Sequence, residues 1–193
     1  MERIPSVINL QINPPTMKLR IINSSITLKT IGILQLLGGV AGLYIMANLM
    51  LRTEVISGPY LLVMLIGVGL FIYSIICGKK LLSNDSKQMA IVYSIINYFF
   101  QLIHWSFFGW GLTYVSGLSF AIGIKESALH FDFALASNFQ ISINSGSEIL
   151  FKINLVALLV LIILFDVLLE LIKIKKAQME VETVEVSNDL ARI

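Results

Sequence analysis

Long uncharged apolar runs alternate with short charged segments along this chain, and the lengths of the runs set the first expectation. Lys29 and Arg52 bracket 22 uncharged residues, and Glu54 and Lys79 bracket 24 more, which open at Gly58-Pro59, where proline suits the first turn of a helix. About 20 apolar residues cross roughly 30 Å of hydrocarbon, so transmembrane helices are expected over 27–51 and 57–78. From Gln88 to Ile124 there is no formal charge for 37 residues. One span needs fewer, so the third helix is placed at 89–112. The fourth candidate, 149–173, is interrupted by Asp166 and Glu170. Its apolar residues, at about −0.3 to −0.6 kcal/mol each, outweigh two acids at about +3 apiece. Leu155 to Phe165 is apolar all round and has no polar face for a surface-lying helix.

Between the third and fourth spans the pattern changes to period two, the mark of half-buried strands. Leu118, Phe120, Ile122 and Ile124 alternate with small residues; Leu129, Phe131, Phe133 and Leu135 alternate with His130, Asp132 and Ala134; Phe139, Ile141 and Ile143 repeat the pattern. Short polar or small connections separate them, so a three-stranded antiparallel meander is expected within 113–148. So small a sheet needs cover for its apolar face. The expected fold is therefore an all-α integral membrane protein: a four-helix transmembrane bundle carrying a small outward-facing β meander between spans three and four.

Charge then orients the chain. Arg3, Lys18, Arg20, Lys29, Lys79, Lys80, Lys87, Lys173, Lys175, Lys176 and Arg192 fall on one side of these spans, and Arg52, Lys125 and Lys152 on the other. Cytoplasmic loops carry the excess of Lys and Arg. Both termini and the 79–88 loop are thus expected in the cytosol of a plasma or bacterial inner membrane, with 113–148 outside. An N-terminal segment over 1–26, with an interfacial element at Met17 to Ile22, and an acidic tail over 174–193 complete the plan. Composition agrees with it: 56% of the residues are hydrophobic and 13% charged, against about a quarter charged in soluble domains. The basic residues are scattered, without the stripe that nucleic-acid binding needs. Cys77 is the only cysteine, so neither an intrachain disulfide nor a cysteine-based metal site is expected.

Polar side chains inside lipid are costly unless they face the bundle interior. Ser94, Asn97, Gln101 and His104, spaced three, four and three, form one helical stripe in span three. Gln35, Tyr73 and Asp166 lie six or seven residues inside the cytosolic boundary, at a common depth of about 10 Å, where they are placed to hydrogen-bond together. Gln35, Asn97, Gln101, His104 and Asp166 are accordingly the candidate binding residues, with interhelical hydrogen bonding as their competing structural role. Gly38 and Gly42 form a GxxxG expected to pack span one on a neighbour within the chain.

No nucleophile with a base in reach, no ligand cluster and no nucleotide-binding loop is visible. No catalytic residue, metal or cofactor is expected. The first functional expectation is a non-enzymatic interaction or accessory component, docking a protein partner through its outer β segment or its bundle surface. The alternative is small-solute or proton-coupled transport along the polar stripe.

Overall fold

A computed structural model describes residues 24–54, 57–83, 87–125, 128–143 and 149–190. The N-terminal element at Met17 to Ile22 lies outside the described residues. In chain order the elements are α1 (Ser24–Arg52), α2 (Gly58–Leu82), α3 (Lys87–Leu102), β1 (Ile103–Phe107), β2 (Trp110–Val115), β3 (Ser119–Lys125), β4 (Ala128–Ala134), β5 (Asn138–Ile143), β6 (Leu150–Asn154) and α4 (Leu155–Leu190). Among the described residues, three helices are long and apolar enough to cross a membrane: Ser25–Arg52, Gly58–Leu82 and Leu155–Glu180.

The four-helix bundle with a three-stranded meander is overturned by this architecture. The helix expected over 89–112 stops at Leu102, after 16 residues, and the chain continues as strand without a loop. The absence of charge is equally compatible with strands, and Ile103 to Val115 is rich in aromatic, β-branched and glycine residues that suit a hairpin better than a helix. Its turn is Phe108-Gly109, with φ of 51° and 78°, positive at both positions as a two-residue hairpin turn of matching twist requires. At the other end, β6 is carved from the start of the expected fourth span. Asn154 closes it and caps α4: its Oδ1 accepts from the backbone N–H groups of Val156 and Ala157, an arrangement worth about 1 kcal/mol.

The sheet has six antiparallel strands in the order β4-β3-β6-β1-β2-β5. The alternations read as a meander coincide with β3, β4 and β5, but β5 pairs with β2, at the opposite edge from β4. Only three residues lie between Ala134 and Asn138, and four steps along the chain reach at most about 14 Å. Six flat strands would put those ends about 24 Å apart. The sheet must therefore curl, and both faces show it. Residues on the polar face are buried: His104, Lys152, Asn154, Ala121 and Ser119. The opposite face carries Phe120, Ile124, Phe131, Phe133, Phe151 and Ile153, all exposed. The polar side is concave and the apolar side convex.

The helices form two clusters. Leu28, Ile31, Leu81, Ile91, Tyr98 and Leu164 join all four helices at the lysine-rich end. Met46, Met64, Phe71 and Tyr114 join α1 and α2 to β2. Glycine permits the closest approaches. A Cβ on Gly42 would meet the Phe71 ring at 2.2 Å, and one on Gly38 would meet the backbone of Ser116 at 2.5 Å. The Gly38/Gly42 pair thus serves the chain's own packing, against α2 and against the β2–β3 connection. Of the two mid-span glycines of α2, Gly67 packs against Phe139, whereas Gly69 has nothing within 4 Å.

Candidate functional site

Four of the five expected site residues meet where α1, α2, α3 and the lower rim of the sheet converge. The buried face of α2 runs Met64, Gly67, Phe71, Ser74 and Gly78, a helical spacing that turns Ser74 toward α1 and α3. Ser74 is the hub. Its Oγ donates to the Gln35 carbonyl at 3.0 Å, lies 2.8 Å from Ser116 Oγ, and accepts from Asn97 Nδ2 at 3.2 Å. Ser94 donates to Gln35 Oε1 at 3.1 Å. Tyr114 Oη lies 3.2 Å from Asn97 Oδ1 and 2.9 Å from the Leu70 carbonyl, so its single proton is shared between two acceptors. Gln101 Oε1 accepts from the Ser116 backbone N–H at 2.9 Å.

The stripe expected on one helix is split between helix and strand. Ser94, Asn97 and Gln101 lie on α3, and His104 is the second residue of β1, opposite Lys152 of β6. His104 remains adjacent to Gln101 because the chain passes from helix to strand without a loop. Lys152 is buried and pairs with the half-exposed Asp132 at 3.2 Å. It crosses Gly123, where any Cβ would run into the β6 backbone.

Asp166 is not brought to this cluster. It is half-buried on α4 and makes no hydrogen bond or ion pair with any described residue. Tyr73 does not join Gln35 either: its hydroxyl donates to the Tyr93 carbonyl at 3.1 Å. Equal depth was insufficient, because each side chain also needs the right face of its helix. Ser74, Tyr114, Ser116 and Ser137 are the members not anticipated. A polar residue in the otherwise apolar packing stripe of α2 was the available signal for Ser74. Tyr114, close in sequence to the aromatics Trp105 and Trp110, is fully buried.

No protein family matches this chain, nor does any curated protein or solved structure.

The arrangement fastens elements together and keeps some donor capacity in reserve. Ser137 donates to the Gly38 carbonyl and accepts from the Gly117 N–H, which ties the β2–β3 and β4–β5 connections to the middle of α1. Four buried nitrogens, Gln35 Nε2, Gln101 Nε2, His104 Nε2 and Asn154 Nδ2, have no partner among the described residues. These are the donors or acceptors available to ordered water or a small polar guest. Two pockets, one near Lys29, Lys80 and Lys87 and one near Met46, Tyr60 and Phe139, are not lined by any member of the cluster. No group of three metal-ligating side chains is found among the described residues.

Proposed function

We propose that this chain is a non-enzymatic multi-pass protein of the plasma or bacterial inner membrane, acting as an interaction component through the outer end of its sheet. Its termini face the cytosol. This orientation is supported by Lys29, Lys79, Lys80 and Lys87 gathering at the ends of α1, α2 and α3 away from the sheet. Tags at Met1 and Ile193 should both be protected in sealed right-side-out vesicles. Labelling of the two from opposite sides would defeat the orientation.

The observation that carries the functional reading is Phe108. It occupies the tip of the β1–β2 hairpin with φ of 51° and is 97% exposed. Asn or Gly fills such a position best, and a bulky side chain in the left-handed region costs on the order of 1 kcal/mol. Trp110 and Ile149 are also exposed at this end of the sheet. Aromatic side chains presented at such a tip are the residue type that anchors protein interfaces. Strain held at an exposed aromatic is explained by a partner that covers it.

Phe108→Asn separates the two costs. The hairpin should hold or gain about 1 kcal/mol of stability, while association detected by crosslinking in native membranes should be lost. Association unchanged by the substitution, or a lone monomer under every mild condition, would defeat the reading. A second reading, transport of a small polar solute or protons, draws support from the four unpartnered nitrogens. The separation of Asp166 from them weighs against it.

A further inference from the structure

The lower part of the sheet stands beside α1 and α2 at heights that those helices would occupy inside a membrane. Ser116 and Gly117 rest on Gly38, which is 14 residues below the end of α1 at Arg52, or about 21 Å along the helix. Phe139 rests on Gly67, nine residues into α2 from Gly58, or about 14 Å. The flanks of α1 and α2 over this stretch expose Val40, Tyr44, Leu62, Leu65 and Ile66. Raising the sheet clear of the membrane would carry those residues into water.

The length of α3 leads to the same place. From Lys87 to Leu102, α3 rises about 22 Å, some 8 Å short of a hydrocarbon layer of about 30 Å. Strands rise about 3.3 Å per residue, so Ile103 to Trp105 would supply the difference. On the return, Ile153 pairs with Ile103 and leads directly into α4.

The distribution of side chains on the sheet fits hydrocarbon on one side. The convex face carries Phe120, Ile122 and Phe133 toward the helices, with Ile103, Ile153 and Phe151 beside them. It continues the exposed apolar surface formed by Phe99 and Phe100 of α3 and Leu158, Leu159 and Ile162 of α4. Every charged side chain of the paired strands that shares this depth, Asp132 and Lys152 included, lies on the concave face. Charges at membrane depth are placed in this way, paired and turned from lipid. An open sheet edge in hydrocarbon would strand backbone N–H and C=O groups. At the lower rim the curl brings the β4–β5 connection round to α1, where the Ser137 hydroxyl bonds the Gly38 carbonyl.

We infer that the lower half of the curled sheet is embedded in the outer leaflet, its convex apolar face in contact with lipid acyl chains. One of the four crossings is then composite, α3 with β1, and β6 enters α4 at the same depth. This rests on the membrane reading of α1, α2 and α4, and the experiment keeps the two apart.

Nitroxide labels would be placed singly at Phe133, Ile153, Leu65 and Glu54 in the full-length protein, in vesicles of zwitterionic lipid. Cys77 is buried and can remain. Collision with oxygen reports hydrocarbon, and collision with a water-soluble nickel chelate reports water. Leu65 on α2 is the membrane standard and Glu54 the aqueous one. Phe133 and Ile153 should match Leu65, with at least a several-fold higher oxygen-to-nickel ratio than Glu54. If Leu65 reports hydrocarbon while Phe133 and Ile153 report water, the embedding is overturned and the sheet stands outside. If those two are shielded from both probes, protein covers the face, a second copy included, and the lipid contact is overturned. If Leu65 itself reports water, the membrane reading falls first.

Discussion

Gly38→Leu should unfasten the sheet from the helices, at a cost of about 3 kcal/mol or more, because the side chain has no direction in which to relax. A Cβ there falls 2.5 to 2.7 Å from the Ser116 and Gly117 backbone, and overpacking against backbone sits at or beyond the upper end of the usual 1–3 kcal/mol range. The same displacement breaks the Ser137 bond to the Gly38 carbonyl and draws Ser116 from Ser74 and Gln101. Unfolding in detergent, followed by the fluorescence of Trp105 and Trp110 in the sheet, reads the loss. Gly69→Leu is the control. It places the same side chain on α2 where nothing lies within 4 Å, and should change stability by less than about 0.5 kcal/mol. Equal effects of the two substitutions would mean that the sheet is not seated on α1 at Gly38.

The second large effect is expected at Asn97. Its amide is bonded at both ends, to Ser74 and to Tyr114, in a fully buried position. Asn97→Leu removes both bonds, taking one donor from Ser74 and one of the two acceptors from Tyr114 in a buried site, a loss of about 1–3 kcal/mol. Asp166→Asn should stay within about 0.5 kcal/mol, since no described residue pairs with it. Flux through reconstituted vesicles adds a readout that stability does not. If the cluster is structural, a conservative change such as His104→Gln leaves any flux unaltered while Asn97→Leu lowers the unfolding midpoint. A solute flux abolished by His104→Gln in a protein of unchanged stability would favour transport over the interaction reading.

The interaction, transport and lipid-contact readings draw on different parts of the molecule. The hairpin tip at Phe108 stands at the far end of β1 from Ile103, about 16 Å along the strand direction. A partner at the tip and lipid at the lower rim are therefore compatible. The polar cluster lies beneath both, and its hydrogen bonds hold the sheet at that depth whether or not it also admits a guest.

What the sequence by itself determined is local. Lys29 and Arg52, or Glu54 and Lys79, bracket uncharged runs whose length alone is enough for a membrane helix, and α1 and α2 occupy them. Alternation marks Phe120 to Ile124 and Leu129 to Phe133 as strand because period two is written in adjacent residues. The polar residues Gln35, Asn97, Gln101 and His104 stand out for the same reason, as isolated costs in apolar surroundings. Only the tertiary structure decided where the third helix ends, since an uncharged run serves helix and strand equally until pairing partners are known. β1 exists because β6 and β2 lie on either side of it, and one of those partners is some 50 residues away in the chain. The joining of β5 to β2, the curl that hides Lys152 and exposes Phe133, and the exclusion of Asp166 from the polar cluster arise likewise from long-range pairing and helix rotation. No window of neighbouring residues encodes those relations, because each depends on which backbone groups find partners once the whole chain has closed.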